Sequence, residues 1–337
     1  MRLLCALLPA LLAMGCTSTD VVSPSDPEKK SDVITLSVSA PEAYAFPSTR
    51  AAHEGHQLRY VAKLYKADGN YPINSGNFLA RKELLASSGT ISFVATEGAR
   101  KYAVAIFADY VPDNVTADAN GCYKDKFYDT QDQGDVVNML CLKSKEGNIT
   151  YPENSINNDN FDCFVGQITI DKGESAVEKS ITLKRAVSKI IFRDNGASGS
   201  RPDGVESITL SEFSFMSEYK YSVGYSSVCT KVTNPNVGNL TPKDNGELFY
   251  FYTFASGQSD GTPGLDVIKF SITPINDEFE YNEVATGGSL IRPKANFIYK
   301  VEGQFFLPTK STPLPGDMIN IRVSADDNWG ETTGMEI

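Results

Sequence analysis

The 337-residue chain carries 31 Lys and Arg against 42 Asp and Glu, a formal net charge of −11, with 41% hydrophobic residues and two histidines. An acidic chain with scattered basic residues offers no cationic stripe for a phosphate backbone, which excludes nucleic acid as a partner. The length exceeds what one small core needs and suits two domains.

Arg2 precedes an apolar run over residues 3–14. About a dozen apolar residues suit the hydrophobic region of a signal peptide and are too few to span a bilayer as a helix. The run ends in Leu12-Ala13-Met14-Gly15-Cys16. That ending resembles the lipobox cut before a diacylglyceryl cysteine, so residues 1–15 read as a lipoprotein signal peptide and Cys16 as the lipidation site. Two or three chains of the palmitate type anchor stably where one does not. Residues 16–31, polar and carrying Pro24 and Pro27, read as a flexible tether. Everything after Cys16 is then expected outside the cytoplasm.

Beyond the tether the dominant period is two. Ile34, Leu36 and Val38 alternate with Thr and Ser, and Leu58, Tyr60, Ala62 and Leu64 alternate with Arg59 and Lys63. Residues 76–85 form the best short helix candidate. Tyr102, Val104 and Ile106 lie in a nearly continuous apolar run, as a central strand requires. Ile168 with Ile170, Ile181 with Leu183, and Ile190-Ile191-Phe192 follow. Ile208 with Leu210, residues 248–254, Ile268 with Ile272, Phe297 with Val301, and Ile319 with Val323 complete the series. Asn195-Gly196, Asp203-Gly204, Asn245-Gly246 and Asp260-Gly261 supply turn chemistry between strands. Short strands separated this way predict an all-β chain of two β-sandwich domains, over residues 32–185 and 186–337.

The stretch Ile181-Thr182-Leu183-Lys184-Arg185-Ala186-Val187-Ser188-Lys189-Ile190-Ile191-Phe192 resembles the L-x-R-x-V-x-K-I segment at the domain junction of fimbrillin-type lipoproteins of Bacteroidales bacteria. The lipobox, Phe46-Pro47-Ser48-Thr49-Arg50-Ala51, residues 102–109, residues 296–301 and a final strand ending in Asp327-Asn328-Trp329 agree in order and spacing. The resemblance implies tandem transthyretin-like sandwiches, a place in the fimbrium at the cell outer membrane, and assembly or cell adhesion rather than catalysis. It also implies proteolytic processing between Arg50 and Ala51. That cut removes an N-terminal strand and opens a groove for a neighbour's strand, a donor-strand exchange. The implied partners are the bilayer, through acylated Cys16, and other fimbrial subunits, with a host protein or glycan as a further candidate. After Trp329 only Gly-Glu-Thr-Thr-Gly-Met-Glu-Ile remains, too short and polar for a good donor strand. Tip and anchor roles therefore stand beside a shaft role.

Four cysteines remain outside the signal and lipid positions: Cys122, Cys141, Cys163 and Cys229. An oxidising compartment favours at least one disulfide; three pairings are open, and Cys122 with Cys141 brackets one polar insertion. His53-Glu54-Gly55-His56 lacks HExxH spacing, and Thr116-Ala117-Asp118-Ala119-Asn120-Gly121 departs from a calcium loop at its first ligand position. No metal or cofactor is expected. No G-x-S-x-G elbow occurs, so the chain does not read as an enzyme. Residues 248–254, Leu-Phe-Tyr-Phe-Tyr-Thr-Phe, form either a central strand covered on both faces or a sugar platform. Because β-sandwiches on tethers also serve nutrient capture, a glycan-binding surface lipoprotein is the alternative function; the single Trp, near the C-terminus, weighs against it.

Overall fold

The computed structural model describes residues 32–40, 53–67, 77–95, 101–130, 139–142, 156–173, 175–194, 205–216, 218–220, 231–240, 247–254, 268–274, 279–280, 284–285, 291–303, 307–308, 322–326 and 335–336. The first strands are β1 (Val33–Ser39), β2 (His56–Lys66), β3 (Phe78–Leu85), β4 (Ser88–Val94), β5 (Lys101–Pro112), β6 (Tyr128–Asp129) and β7 (Met139–Leu142). Then come β8 (Cys163–Asp171), β9 (Val177–Thr182), β10 (Lys184–Arg185), β11 (Val187–Asp194), β12 (Val205–Met216), β13 (Glu218–Lys220) and β14 (Lys231–Leu240). The last are β15 (Glu247–Phe254), β16 (Ile268–Pro274), β17 (Phe279–Glu280), β18 (Val284–Ala285), β19 (Ile298–Gly303), β20 (Leu307–Pro308), β21 (Arg322–Asp326) and β22 (Met335–Glu336). The fold is all-β.

The first sandwich faces a three-stranded sheet, β4-β1-β9, against a five-stranded one, β10-β8-β5-β2-β3. Strand β5 is central because nearly all its side chains are apolar, and residues 102–111 are buried on both faces. It pairs with β2 without a break from His56↔Pro112 to Lys66↔Tyr102. Period two then sorts the side chains. Tyr60, Ala62, Leu64, Val104 and Ile106 join Ile34, Leu36 and Val38 in one core. Arg59, Val61, Lys63, Phe107 and Asp109 occupy the opposite row.

The helix expected over 76–85 is instead strand β3, antiparallel to β2 from Arg59↔Leu85 to Tyr65↔Phe78. Its Leu, Ala, Lys and Glu content favours a helix locally, but tertiary pairing overrides propensity. In the strand, Arg81 and Glu83 share a face, with Arg81 Nε 2.8 Å from Glu83 Oε1. Leu84 turns to the other face and packs on the core.

The second half repeats one device of the first. Strand β1 runs antiparallel to β4 and parallel to β9; strand β11 runs antiparallel to β15 and parallel to β19. Sheet β15-β11-β19-β21-β22 accompanies sheet β14-β12-β16-β18. The run Leu248–Phe254 is buried throughout, so it is a strand covered on both faces and no sugar platform. One row, Ile190, Phe192, Phe249 and Phe251, shares a hydrophobic cluster with Ile208 of β12. The other row faces residues of the first half, and the rings of Phe254 and Tyr128 lie 5.7 Å apart.

Candidate functional site

Strand β1 sits in a slot between β4 and β9. Ile34, Leu36 and Val38 point inward and are at most 2% exposed. Burying three such side chains contributes roughly 5–9 kcal/mol. The register is unbroken on the β4 side from Val33↔Val94 to Ser39↔Ser88. On the β9 side it runs from Ile34↔Val177 to Ser39↔Thr182. Outward-facing hydroxyls meet across both seams: Thr35 with Ser92 and Ser39 with Thr182, each at 3.3 Å. The slot floor belongs to β2 and β5, through Tyr60, Ala62, Val104 and Ile106.

Two contacts fix where β1 ends. Ala40 N–H donates to the Tyr60 hydroxyl at 2.8 Å, and that hydroxyl donates to Ser87 O at 2.7 Å. One buried phenol thus ties the end of β1 to the turn between β3 and β4. Burial raises the Tyr60 phenol above its usual range against the Ala40 hydrogen bond, which keeps it a donor. Leu183 N–H donates to Ser39 O at 2.8 Å, linking the same point to the start of the junction motif.

The junction motif has an electrostatic reason. Arg185 grips Asp162, and Lys189 Nζ lies 2.8 Å from Asp159 Oδ1. Both acids belong to one short segment, a 3₁₀ turn over Asp159–Phe161 capped by Asn158. Tyr252 donates to Asp159 Oδ1 at 2.7 Å, and Lys189 Nζ sits 3.8 Å from the Tyr250 ring centroid. Asn157 accepts from Tyr250 N–H at 2.9 Å and its own N–H donates to Tyr250 O. Residues 157–162 therefore plug the first half onto strand β15. Sequence reasoning found Arg185 and Lys189 but missed their partners, because an acidic, amide-rich loop carries no signal of which cation it meets.

A second buried network covers the outer row of β2 and β5. Arg59 bonds Asp109 through Nε at 2.8 Å and Nη2 at 2.7 Å, and also meets Asp125 at 2.8 Å. Arg81 donates to Thr130 O and Thr130 Oγ1, and Lys63 Nζ to Thr130 O at 2.7 Å. Burial raises the Asp109 carboxyl above its usual value despite Arg59. Arg59, Lys63 and Arg81 together hold loop 113–130 against the sheet, an arrangement that rigidifies it.

Of the other residues singled out by sequence, Cys16, Arg50, Ala51 and Cys229 lie outside the described residues, as does the side chain of Cys141. Cys122 and Cys163 carry free thiols in this structure. Cys122 is turned into its own loop, where its N–H donates to Asp118 Oδ1 at 2.9 Å. Cys163 is fully buried, and burial pushes its thiol well above the usual value. The carboxylate of the calcium-like loop, Asp118, is occupied by the N–H groups of Asn120 and Cys122. His53 stacks on Tyr110 with ring centroids 3.6 Å apart, and both His53 and His56 contact the Asn160 amide. Among the described residues, no group of three or more His, Cys, Asp or Glu could hold a metal ion. No helix among them is long and apolar enough to cross a membrane.

A model of a protein family of unknown function, DUF6562, matches residues 27–333. No curated protein matches the chain. Among solved structures, a candidate cell adhesion protein from Parabacteroides distasonis is similar at 14% identity, over 88% of this chain and 96% of that one, with a TM-score of 0.46. A fimbrial assembly protein from the same organism is similar at 11% identity over 90% and 98%, with a TM-score of 0.40. A fimbrial anchor protein from Porphyromonas gingivalis is similar at 12% identity over 88% and 98%, with a TM-score of 0.39.

Proposed function

The chain belongs to the DUF6562 family, and we propose that it is a lipid-anchored, non-catalytic component of a fimbrium-like assembly that joins its neighbours by β-strand addition. The observation that carries the reading is the position of β1. It is the first strand among the described residues, it fills a slot lined on both sides by other strands, and the segment after it contains Arg50-Ala51. One cut there separates β1 and the tether from everything else without breaking any other connection. What remains is a floor of apolar side chains between two unpaired edges, which a strand of alternating pattern fills with main-chain hydrogen bonds and alternate side chains. Cys16 holds the uncut form at the outer membrane, and cutting frees the unit for assembly. An anchor role corresponds to the form that keeps its tether, a shaft or tip role to the form that loses it.

The resemblance of residues 181–192 to the fimbrillin junction supports this reading, and the ion pairs of Arg185 and Lys189 give it a physical basis. The aromatic row over 248–254 is buried and offers no sugar platform to the glycan-binding alternative. Protein isolated from cell envelopes tests the proposal. An SDS-resistant ladder whose units begin at Ala51 supports a subunit; a single species beginning at Cys16 supports an anchor. A soluble monomer beginning elsewhere contradicts both.

A further inference from the structure

We propose that the outer edge of β4 is a docking edge for β4 of a second copy, antiparallel and centred on Ile91. Edge strands are ordinarily blunted by charge, brevity or irregularity, because their free N–H and C=O groups template another strand. The other edges of the first sandwich carry such devices. In β9, Lys179 stands opposite Leu36 on the inward row, between Val177 and Ile181. Strand β3 carries Arg81 and Lys82 and a register shift against β2. Strand β10 is two residues long.

Strand β4, Ser-Gly-Thr-Ile-Ser-Phe-Val, has none of these. It is seven residues long, uncharged and free of proline, and its pairing with β1 has no shift. Among the described residues nothing pairs with its far side. Val94, at 57% exposure, is the most exposed large apolar side chain among them.

A second copy fits because the strand complements itself. Paired about Ile91, the inward row reads Phe93 against Gly89, Ile91 against Ile91, and Gly89 against Phe93, with Leu84 packed over each Gly89 so that the row stays apolar throughout. The outward row sets Thr90 against Ser92 and Ser88 against Val94. The chain has a net charge of −11, and this uncharged edge lets two copies meet without opposing charges across the seam. The two three-stranded sheets then form one six-stranded sheet. The proposal is independent of strand release, since β4 keeps its far edge whichever strand occupies the β1 slot.

Sedimentation velocity on the full chain in mild detergent tests it. Wild type should pass from monomer to dimer with rising concentration. Thr90→Lys/Ser92→Lys, two changes at exposed positions, sets like charges opposite each other and should weaken association by at least about tenfold. Mixing that protein with Thr90→Glu/Ser92→Glu should restore the dimer, which a folding defect cannot explain. Independently, oxidation should cross-link a mixture of Thr90→Cys and Ser92→Cys chains more than either alone. A wild type that stays monomeric, a dimer indifferent to the lysine pair, or a mixture that neither associates nor cross-links overturns the proposal.

Discussion

Arg185 holds Asp162 side-on, with Nε 2.7 Å from Oδ1 and Nη2 2.8 Å from Oδ2. The remaining guanidinium nitrogen donates to Asn296 Oδ1 at 3.1 Å, and the group lies 5.2 Å from the Phe164 ring centroid. Four residues on, Lys189 repeats the arrangement with Asp159. The two cations thus bind the two ends of one short acidic segment, and this makes the junction between the sheets a fixed joint.

Because both partners are buried, removing one leaves an uncompensated charge. Arg185→Ala is expected to cost about 3–5 kcal/mol in urea denaturation. Arg185→Lys should lose less, keeping the charge but not the fork. The double replacement Arg185→Met/Asp162→Leu should be milder than Arg185→Ala alone, since no orphaned carboxylate remains. Equal losses for the single and double variants would show that packing, rather than charge pairing, governs the joint.

Acid should weaken the fold in two windows. Burial lowers His53 below its ordinary 6.5, outweighing the Asn160 hydrogen bond and the Asp162 and Asp159 carboxylates. The unfolded chain therefore takes that proton first. Its contribution is complete above pH 6.5 and is lost as pH falls from there to the folded value. Asp159 behaves differently: burial pushes it up, but Lys189 and the tyrosine hydrogen bonds win and hold it below 3.8. Its contribution is present above 3.8 and lost as pH falls through the folded value. Urea midpoints measured against pH should show both declines. His53→Phe should flatten the first, and Lys189→Met should move the second to higher pH.

Tyr60→Phe keeps the buried ring and removes one hydroxyl, leaving Ala40 N–H and Ser87 O without their shared partner. The expected cost is about 1–3 kcal/mol. Hydrogen exchange should quicken at Ala40 and along β1 before it quickens in β5. Uniform acceleration across both strands would remove the clasp role.

Much of this fold was legible from period two alone. The alternation of Ile34, Leu36 and Val38 identified the inward row of β1, and the unbroken apolar run around Val104 marked β5 as central. Residues 78–85 misled, because good helix formers on an edge strand read as a helix until β2 is beside them. Strand β4 was not among the expected strands, because Ser, Gly and Thr leave only Ile91 and Phe93 on its inward row. The strand β1 itself was legible, but the slot between β4 and β9 and its clasp were not. Nothing in the sequence around Tyr60 distinguishes a phenol that fills a core from one that also ends a strand. The acids Asp159 and Asp162 were invisible for a related reason: partners more than 20 residues apart are joined by topology, which local pattern does not encode.

The central claim is that β1 is a replaceable strand. The most direct measurement is the native mass of the protein after an arginine-specific protease has cut between Arg50 and Ala51, followed over a concentration series with and without a synthetic peptide of residues 31–40. If the claim holds, the cut chain forms oligomers larger than the uncut chain does at the same concentration, as β1 is displaced. Excess peptide should then return them to the size of the uncut chain, one peptide bound per chain, by refilling the slot. A cut chain that keeps its own N-terminal fragment and matches the mass of the uncut chain, or larger oligomers that the peptide leaves unchanged, would contradict it.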